Sequence, residues 1–248
     1  MQQRISKPFI ADSRRVRHWL WLGMAIAVVA VILALFTRTA AAQTERGIAL
    51  IEQTLAARPD KGHGARLYRE LCSSCHGKKA HGSASSVTPS LAGQVRLYLV
   101  KQLVDFAEGD RTEPEMHRVV ALKQLSTPQA LSDVATFLAD LPANPRPELG
   151  DGTALVAGKR YYDGLCAFCH GPQAQGNAGR ATPALSRQHY SYLLMQSRRL
   201  AVGHRYSVPI EVIEVLEKVS FDELRAIADY ASRLPAAPPI VPSPDPAG

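Results

Sequence analysis

Methionine is scarce in this chain, with four in 248 residues, and only Met116 and Met195 lie beyond residue 24. Any chemistry that needs a thioether in the body of the protein is confined to those two positions. Cysteine is equally sparse, at four. Net charge is almost missing once residues 1–42 are set aside. The formal charge is +7, but the remainder holds 23 Lys and Arg against 21 Asp and Glu, about +2. The basicity therefore belongs to the N-terminal segment, and no nucleic-acid partner is implied. What remains is ample apolar material, 46% of the residues, enough for one large core or two small ones.

The N-terminal segment, 1–42, reads as export machinery. "RRVRH" supplies a positive flank, "WLWLGMAIAVVAVILALF" supplies 18 uncharged residues, and Ala40 and Ala42 give small residues of the A-x-A kind. As a helix the run spans roughly 27 Å at about 1.5 Å per residue, enough to cross a bilayer marginally. Two outcomes stay open, a signal peptide cleaved after Ala42 or a retained anchor with membrane contact through this segment. Either places everything beyond residue 43 outside the cytoplasmic membrane, in the periplasm, because the positive flank stays inside.

An exported chain with four cysteines invites a disulfide reading, which the spacing contradicts. The cysteines occur as "CSSCH", Cys72 to His76, and "CAFCH", Cys166 to His170. C-x-x-C-H is the attachment signature of c-type haem. Two thiols add to the two haem vinyl groups while the adjacent His reaches the iron from one face. A zinc site built from two C-x-x-C knuckles, or a pair of redox dithiols, would not require a His after each second cysteine.

The two pentapeptides lie 94 residues apart, and the same step relates Gly64 to Gly158, Tyr68 to Tyr162, Pro89 to Pro183, Gln94 to Gln188, Tyr98 to Tyr192, Gly109 to Gly203, Arg111 to Arg205 and Ser126 to Ser220. No gap is needed over 63 positions, and two copies at so long a period mean tandem duplication. Each copy reads as helical. "GARLYRELCSSCHG" delivers the pentapeptide at a helix end, and "QVRLYLVKQLVDFAEG" forms a helix stopped by Gly109. "STPQALSDVATFLADL" forms another with Ser126 as N-cap, Pro128 in the first turn, and Leu131, Val134, Ala135 and Leu138 facing the core. The expected organisation is a leading segment at 43–59, a first domain at 60–142, a stiff Pro/Gly linker at 143–153, a second domain at 154–235 and a Pro-rich tail at 236–248.

In the order C-x-x-C-H-G, "TPSLAGQ", "YLVKQL", "FAEGDR" and Met116, the first copy resembles class I cytochrome c domains, and the pair resembles dihaem cytochromes of the c4 type. The resemblance implies an all-α fold of two tandem class I cytochrome c domains and two covalently attached haem c groups. Cys72, Cys75, Cys166 and Cys169 would carry them, and His76 and His170 would be proximal iron ligands. Met116 would be the distal ligand of the first haem, the Pro89 carbonyl would orient His76, and Arg111 would lie near a haem propionate or else on the solvated surface. It further implies a periplasmic electron-transfer protein rather than an enzyme. Its donor would be a dehydrogenase or a quinol-oxidising partner, and its acceptor a terminal oxidase or similar protein.

The second copy inherits Cys166, Cys169, His170, Pro183 and Arg205, but Ile210 stands in Met116's place. Met195 falls in mid-helix, where an apolar residue is expected, and His189 reads as a surface His at a helix start. His204, six residues before Ile210, could offer an imidazole. Otherwise the second iron holds water, a weak ligand or nothing, which leaves a second function class, a haem enzyme or gas-responsive protein fed by the first domain. No distal acid or base serves such a site beyond His204 and Arg205.

Overall fold

The computed structural model describes residues 45–205 and 207–236, together with Met24 and Val29. The expected signal or anchor at 1–42, apart from those two residues, and nearly all of the Pro-rich tail lie outside the described residues. Among the described residues no helix is long and apolar enough to cross a membrane.

The first copy begins at helix α1, Lys61–Leu67, capped by the Asp60 carboxylate, which accepts from the His63 N–H at 3.0 Å. A wide helical turn, Tyr68–Cys72, leads into α2, Ser73–His76, then a long loop, α3 at Arg96–Glu108, α4 at Pro114–Val120 and α5 at Pro128–Asp140. The second copy repeats the order with α6 at Leu155–Leu165, α7 at Ala167–His170, α8 at Tyr190–Ala201, α9 at Ile210–Leu216 and α10 at Phe221–Arg233.

The repeated glycines Gly64 and Gly158 mark where the first and last helices of each copy cross. A Cβ at Gly64 would lie 2.2 Å from the Asp133 carbonyl oxygen, and one at Gly158 would lie 2.2 Å from that of Ala226. Only a residue without a side chain lets backbone approach backbone so closely. The loops repeat as faithfully. Positive φ recurs at Gly77 and Gly171, Ala80 and Ala174, Gly82 and Gly176, Val87 and Ala181, Gly93 and Arg187, and Gly109 and Gly203, each pair 94 residues apart.

Helix starts show where the repeat slips. Thr127, not Ser126, caps α5, its side chain accepting from the Ala130 N–H at 3.2 Å, while the Ser126 hydroxyl donates to the Lys123 carbonyl. Pro128 then takes the first helical position, where its missing N–H costs nothing. Ser220 caps α10 in a capping box with Glu223, so it answers Thr127 and the matched serines are not structural counterparts.

The two cores differ in size. The first gathers Leu67, Tyr68, Leu99, Val100, Val104, Leu125, Leu131, Val134, Ala135 and Leu138, all at or below 5% exposure. The residues expected to face inward from α5 do so. The leading helical stretch, 47–56, adds Leu50 and Ile51 to this core, which gives that segment its structural role. The second core rests on a smaller set around Tyr162, Leu193, Ile227 and Ala228.

The segment between the copies is docked along its length. The His189 Nδ1 accepts from the Glu148 N–H at 3.0 Å, and Asp229 accepts from the N–H groups of Gly150 and Gly152 at 3.0 and 2.8 Å. Arg233 donates to the Gly150 carbonyl at 2.8 Å. Side chains of the second copy thus satisfy the segment's backbone.

Candidate haem sites

Each C-x-x-C-H sequence closes a helical turn that ends at a glycine with φ near 80°, Gly77 at 75° and Gly171 at 80°. A buried tyrosine fastens the turn from below. The Tyr68 hydroxyl donates to the Gly77 carbonyl at 2.5 Å, and the Tyr162 hydroxyl to the Gly171 carbonyl at 2.6 Å. Both tyrosines are 2% exposed or less. The 94-residue repeat contained this tyrosine pair, yet its function needs the fold to be seen.

The histidines are oriented alike. His76 donates from Nδ1 to the Pro89 carbonyl at 3.0 Å, and His170 from Nδ1 to the Pro183 carbonyl at 2.9 Å. With Nδ1 carrying the proton, Nε2 presents its lone pair, the tautomer a metal-ligating imidazole requires. Burial lowers the pKa of both rings, with the carbonyl bond opposing it, so both stay neutral. His76 is buried and His170 half-buried.

Burial, reinforced by Cys75, pushes the Cys72 thiol up to about 11, and burial with Cys169 does the same to Cys166. A thiol raised in this way is not itself an activated nucleophile. Among the described residues, no three His, Cys, Asp or Glu side chains converge as a metal-binding group, so the two C-x-x-C motifs do not assemble the donor set of a zinc site. All four cysteines are free and Cys75 and Cys169 are exposed, open to a haem edge.

The other half of the site lies between the copies. Gln94 donates to the Ala184 carbonyl at 3.0 Å and accepts from the Ala184 N–H at 2.7 Å. Gln188 donates to the Ser90 carbonyl at 2.9 Å and accepts from the Ser90 N–H at 2.8 Å. Since Ser90 and Ala184 are also 94 residues apart, the two halves exchange one pair of contacts about a pseudo-two-fold axis, as in an isologous dimer. The arginines follow the same rule. Arg111 donates to the Tyr192 hydroxyl at 2.9 Å and to Gln102 at 2.6 Å, and Arg205 to the Tyr98 hydroxyl at 3.2 Å and to Gln196 at 3.1 Å.

Neither arginine is solvated, each being 7% exposed, which removes the surface reading of Arg111. Burial would raise the Tyr98 pKa, but the charges of Arg205 and Arg111 beside it bring it below its usual value. The carboxylate in this cluster, Asp105, is engaged by Lys101 and Gln102. Among the described residues no carboxylate pairs with either guanidinium, and the Arg205 Nε and Gln196 Nε2 donors are buried without partners. Asp105 acts on Arg111 only through space, and burying charge without a directly paired counter-ion costs several kcal/mol per ion. The cluster is therefore built to receive anions, and the two propionates of a haem have the matching chemistry. Proximal imidazole, paired thiols and buried cationic donors together fit haem c in each half.

The distal positions part company. Met116 is the third residue of α4 and half-buried. Ile210 is the first residue of α9 and 60% exposed. His204 is exposed, and Met195 lies within α8 as expected. His189 does precede a helix, α8, but it is no surface residue. It is 6% exposed, and its Nε2 donates to the His81 carbonyl at 2.8 Å, binding the second copy to a loop of the first. Its helix-start position was legible, but a partner 108 residues away was not.

An all-α chain with two equivalent sites for a covalently attached, His-ligated cofactor is a dihaem protein in architecture. The Cytochrome c family model matches residues 62–142 and 155–231. The chain is 32% identical over 182 residues to the thiosulfate dehydrogenase electron acceptor of Stutzerimonas stutzeri, covering 67% of this chain and 80% of that protein. It is 33% identical over 172 residues to cytochrome c4 of Pseudomonas aeruginosa, covering 66% and 84%. Among solved structures, reduced cytochrome c4 from Pseudomonas stutzeri superposes with a TM-score of 0.63 at 24% identity, over 71% of this chain and all of that one. Thiosulfate dehydrogenase from Marichromatium purpuratum gives 0.61 at 25% identity, over 70% of this chain and 40% of that one. The chain belongs to the cytochrome c family, with two cytochrome c domains, two covalently bound haem c groups and electron transfer as its function.

Proposed function

We propose that Cys72 and Cys75 hold the first haem and Cys166 and Cys169 the second, with His76 and His170 as proximal ligands and Met116 as the distal ligand of the first. The haem iron supplies one-electron chemistry when bound. The chain's own residues fix the imidazole tautomers through Pro89 and Pro183, bury the ligand faces, and set cationic donors between the two groups. The site works on the periplasmic side of the membrane, as the charge asymmetry of the N-terminal segment implies.

The donor is a dehydrogenase of the kind that oxidises thiosulfate, or a quinol-oxidising complex, and the acceptor is a terminal oxidase. Likeness to an electron acceptor of thiosulfate dehydrogenase supports the first donor. The observation that carries the reading is the reciprocal Gln94–Ala184 and Gln188–Ser90 interface. It fixes the two attachment sites in one body, so an electron entering at one haem always finds the other at a constant separation.

Rapid mixing of oxidised holoprotein with thiosulfate and thiosulfate dehydrogenase, and separately with quinol-oxidising membranes, tests this. Reduction of both haems by one donor within its turnover time, with reoxidation by a terminal oxidase, is expected. Failure of both donors overturns the partner assignment. Protease treatment of intact spheroplasts tests the address, and haem domains that resist it until the membrane is broken would contradict a periplasmic location.

A further inference from the structure

The distal helices α4 and α9 are both seven residues long, but they do not begin at matched positions. The α4 helix starts after Glu113 and α9 after Pro209, so the loop following Gly203 is two residues longer than the one following Gly109. By helix register the third position, filled in α4 by Met116, is filled in α9 by half-buried Val212. Ile210, aligned with Met116 in the ungapped repeat, stands instead at the exposed helix start.

Neither side chain can coordinate iron. From Arg205 to Val219 the sequence holds no His, Met or Cys, and Lys218 is exposed beyond the end of α9. His204, the nearest imidazole, is exposed and is followed by buried Arg205, which is anchored to Tyr98 and Gln196.

The surrounding contacts hold this arrangement in place. In the first domain, His117 docks α4 by donating from Nδ1 to the Phe106 carbonyl at 2.7 Å. The residue in that register of α9 is Ile213, which has no such donor. The second distal loop is held instead from the other domain. Lys101, paired with Asp105, donates to the Ser207 carbonyl at 2.9 Å. The loop is thus tethered at Arg205 and at Ser207, after His204 and before α9.

We propose that the second iron is open on its distal side and takes a small neutral diatomic ligand of the carbon monoxide class, which donates a lone pair to ferrous iron with no change of oxidation state. The first iron is closed by Met116. The apolar residues Val208, Val212 and Ile213 suit an uncharged ligand, since they offer no group to pair with an anion. This rests on haem attachment at Cys166 and Cys169, so the mass of the holoprotein is measured first. A missing haem then counts against the attachment, and a full complement that refuses ligand counts against the open site.

Dithionite-reduced holoprotein is titrated with carbon monoxide, and the shift of the Soret band gives the amount bound. One molecule per two haems is expected. None bound, or two, overturns the proposal. His204→Ala should leave the stoichiometry at one, and a rise from none to one would show that His204 is a hidden ligand. Val212→Met should weaken binding at least tenfold and give the oxidised second haem a far-red sulfur-to-iron absorption, whereas Ile210→Met should change neither. Closure by Ile210→Met instead would refute the register. In every variant the far-red absorption of the first haem and the haem mass serve as the folding control.

Discussion

The two domains are copies in everything that holds the proximal side of a haem and differ in what covers the distal side. Pro89 and Pro183, and Tyr68 and Tyr162, occupy equivalent places with bonds of nearly equal length, and Gly64 and Gly158 mark the same close helix crossing. Beyond Arg111 and Arg205 the match lapses. The first domain anchors its distal helix with His117 and adds the 47–56 helix to a broad core. The second has a distal helix with no fully buried residue and a loop gripped by Lys101 of its neighbour. The repeated features are those that any covalently attached haem requires, and the differing ones lie around Met116 and Ile210.

The largest break in that comparison should come from Met116→Ala. A thioether raises the potential of a haem iron, and axial ligands span a range of about 0.8 V, so the first potential should fall by on the order of 0.1 V. Spectroelectrochemical titration measures this, and the second haem should keep its potential.

The shared framework should respond equally in both halves. Gly64→Ala and Gly158→Ala each drive a Cβ to 2.2 Å from a carbonyl and should each cost about 3 kcal/mol through forced helix displacement. Thermal unfolding of holoprotein would register this as a lowered Tm of similar size in the two variants.

The interface offers a finer test of equality. Gln94→Ala and Gln188→Ala each strand an N–H and a carbonyl of the other domain, and each should cost about 1–2 kcal/mol. Because both act on one interface, the double variant should lose less than the sum. Denaturant unfolding in a double-mutant cycle measures it.

The smallest effect sharpens a single difference. Arg187 holds φ at 60° where the first copy has Gly93 at 70°, a conformation costing a side chain about 1–2 kcal/mol. Arg187→Gly should recover at most about 1 kcal/mol in the same unfolding assay, less any loss of the 3.4 Å bond from Arg187 to the Pro145 carbonyl.

Much of the proximal architecture was legible in the sequence because the chemistry is local. Cys72, Cys75 and His76 lie within one helical turn, and the helix stop at Gly109 needs only a residue tolerant of φ near 84°. The interface was only half legible. Gln94 and Gln188, and Tyr98 and Tyr192, were visible as repeated polar residues, but their partners lie 81 to 107 residues away. A repeat cannot tell a polar side chain facing solvent from one facing its own copy. Arg111 falls in that ambiguity, and His189, whose position reads as surface, lies on the buried side of it. The ungapped alignment also concealed compensating changes, a distal loop longer by two residues followed by a shorter run into the last helix. That is why Ile210 seemed to replace Met116, and why Ser126 seemed to match Ser220.

The central claim, that one duplicated frame carries two unequal irons, is tested most directly by the far-red sulfur-to-iron absorption of fully oxidised holoprotein, quantified per haem. The account predicts the intensity of one thioether-ligated haem in two, lost entirely in Met116→Ala and unaffected by Met195→Leu. Intensity for both haems, or a band that survives Met116→Ala, would contradict it.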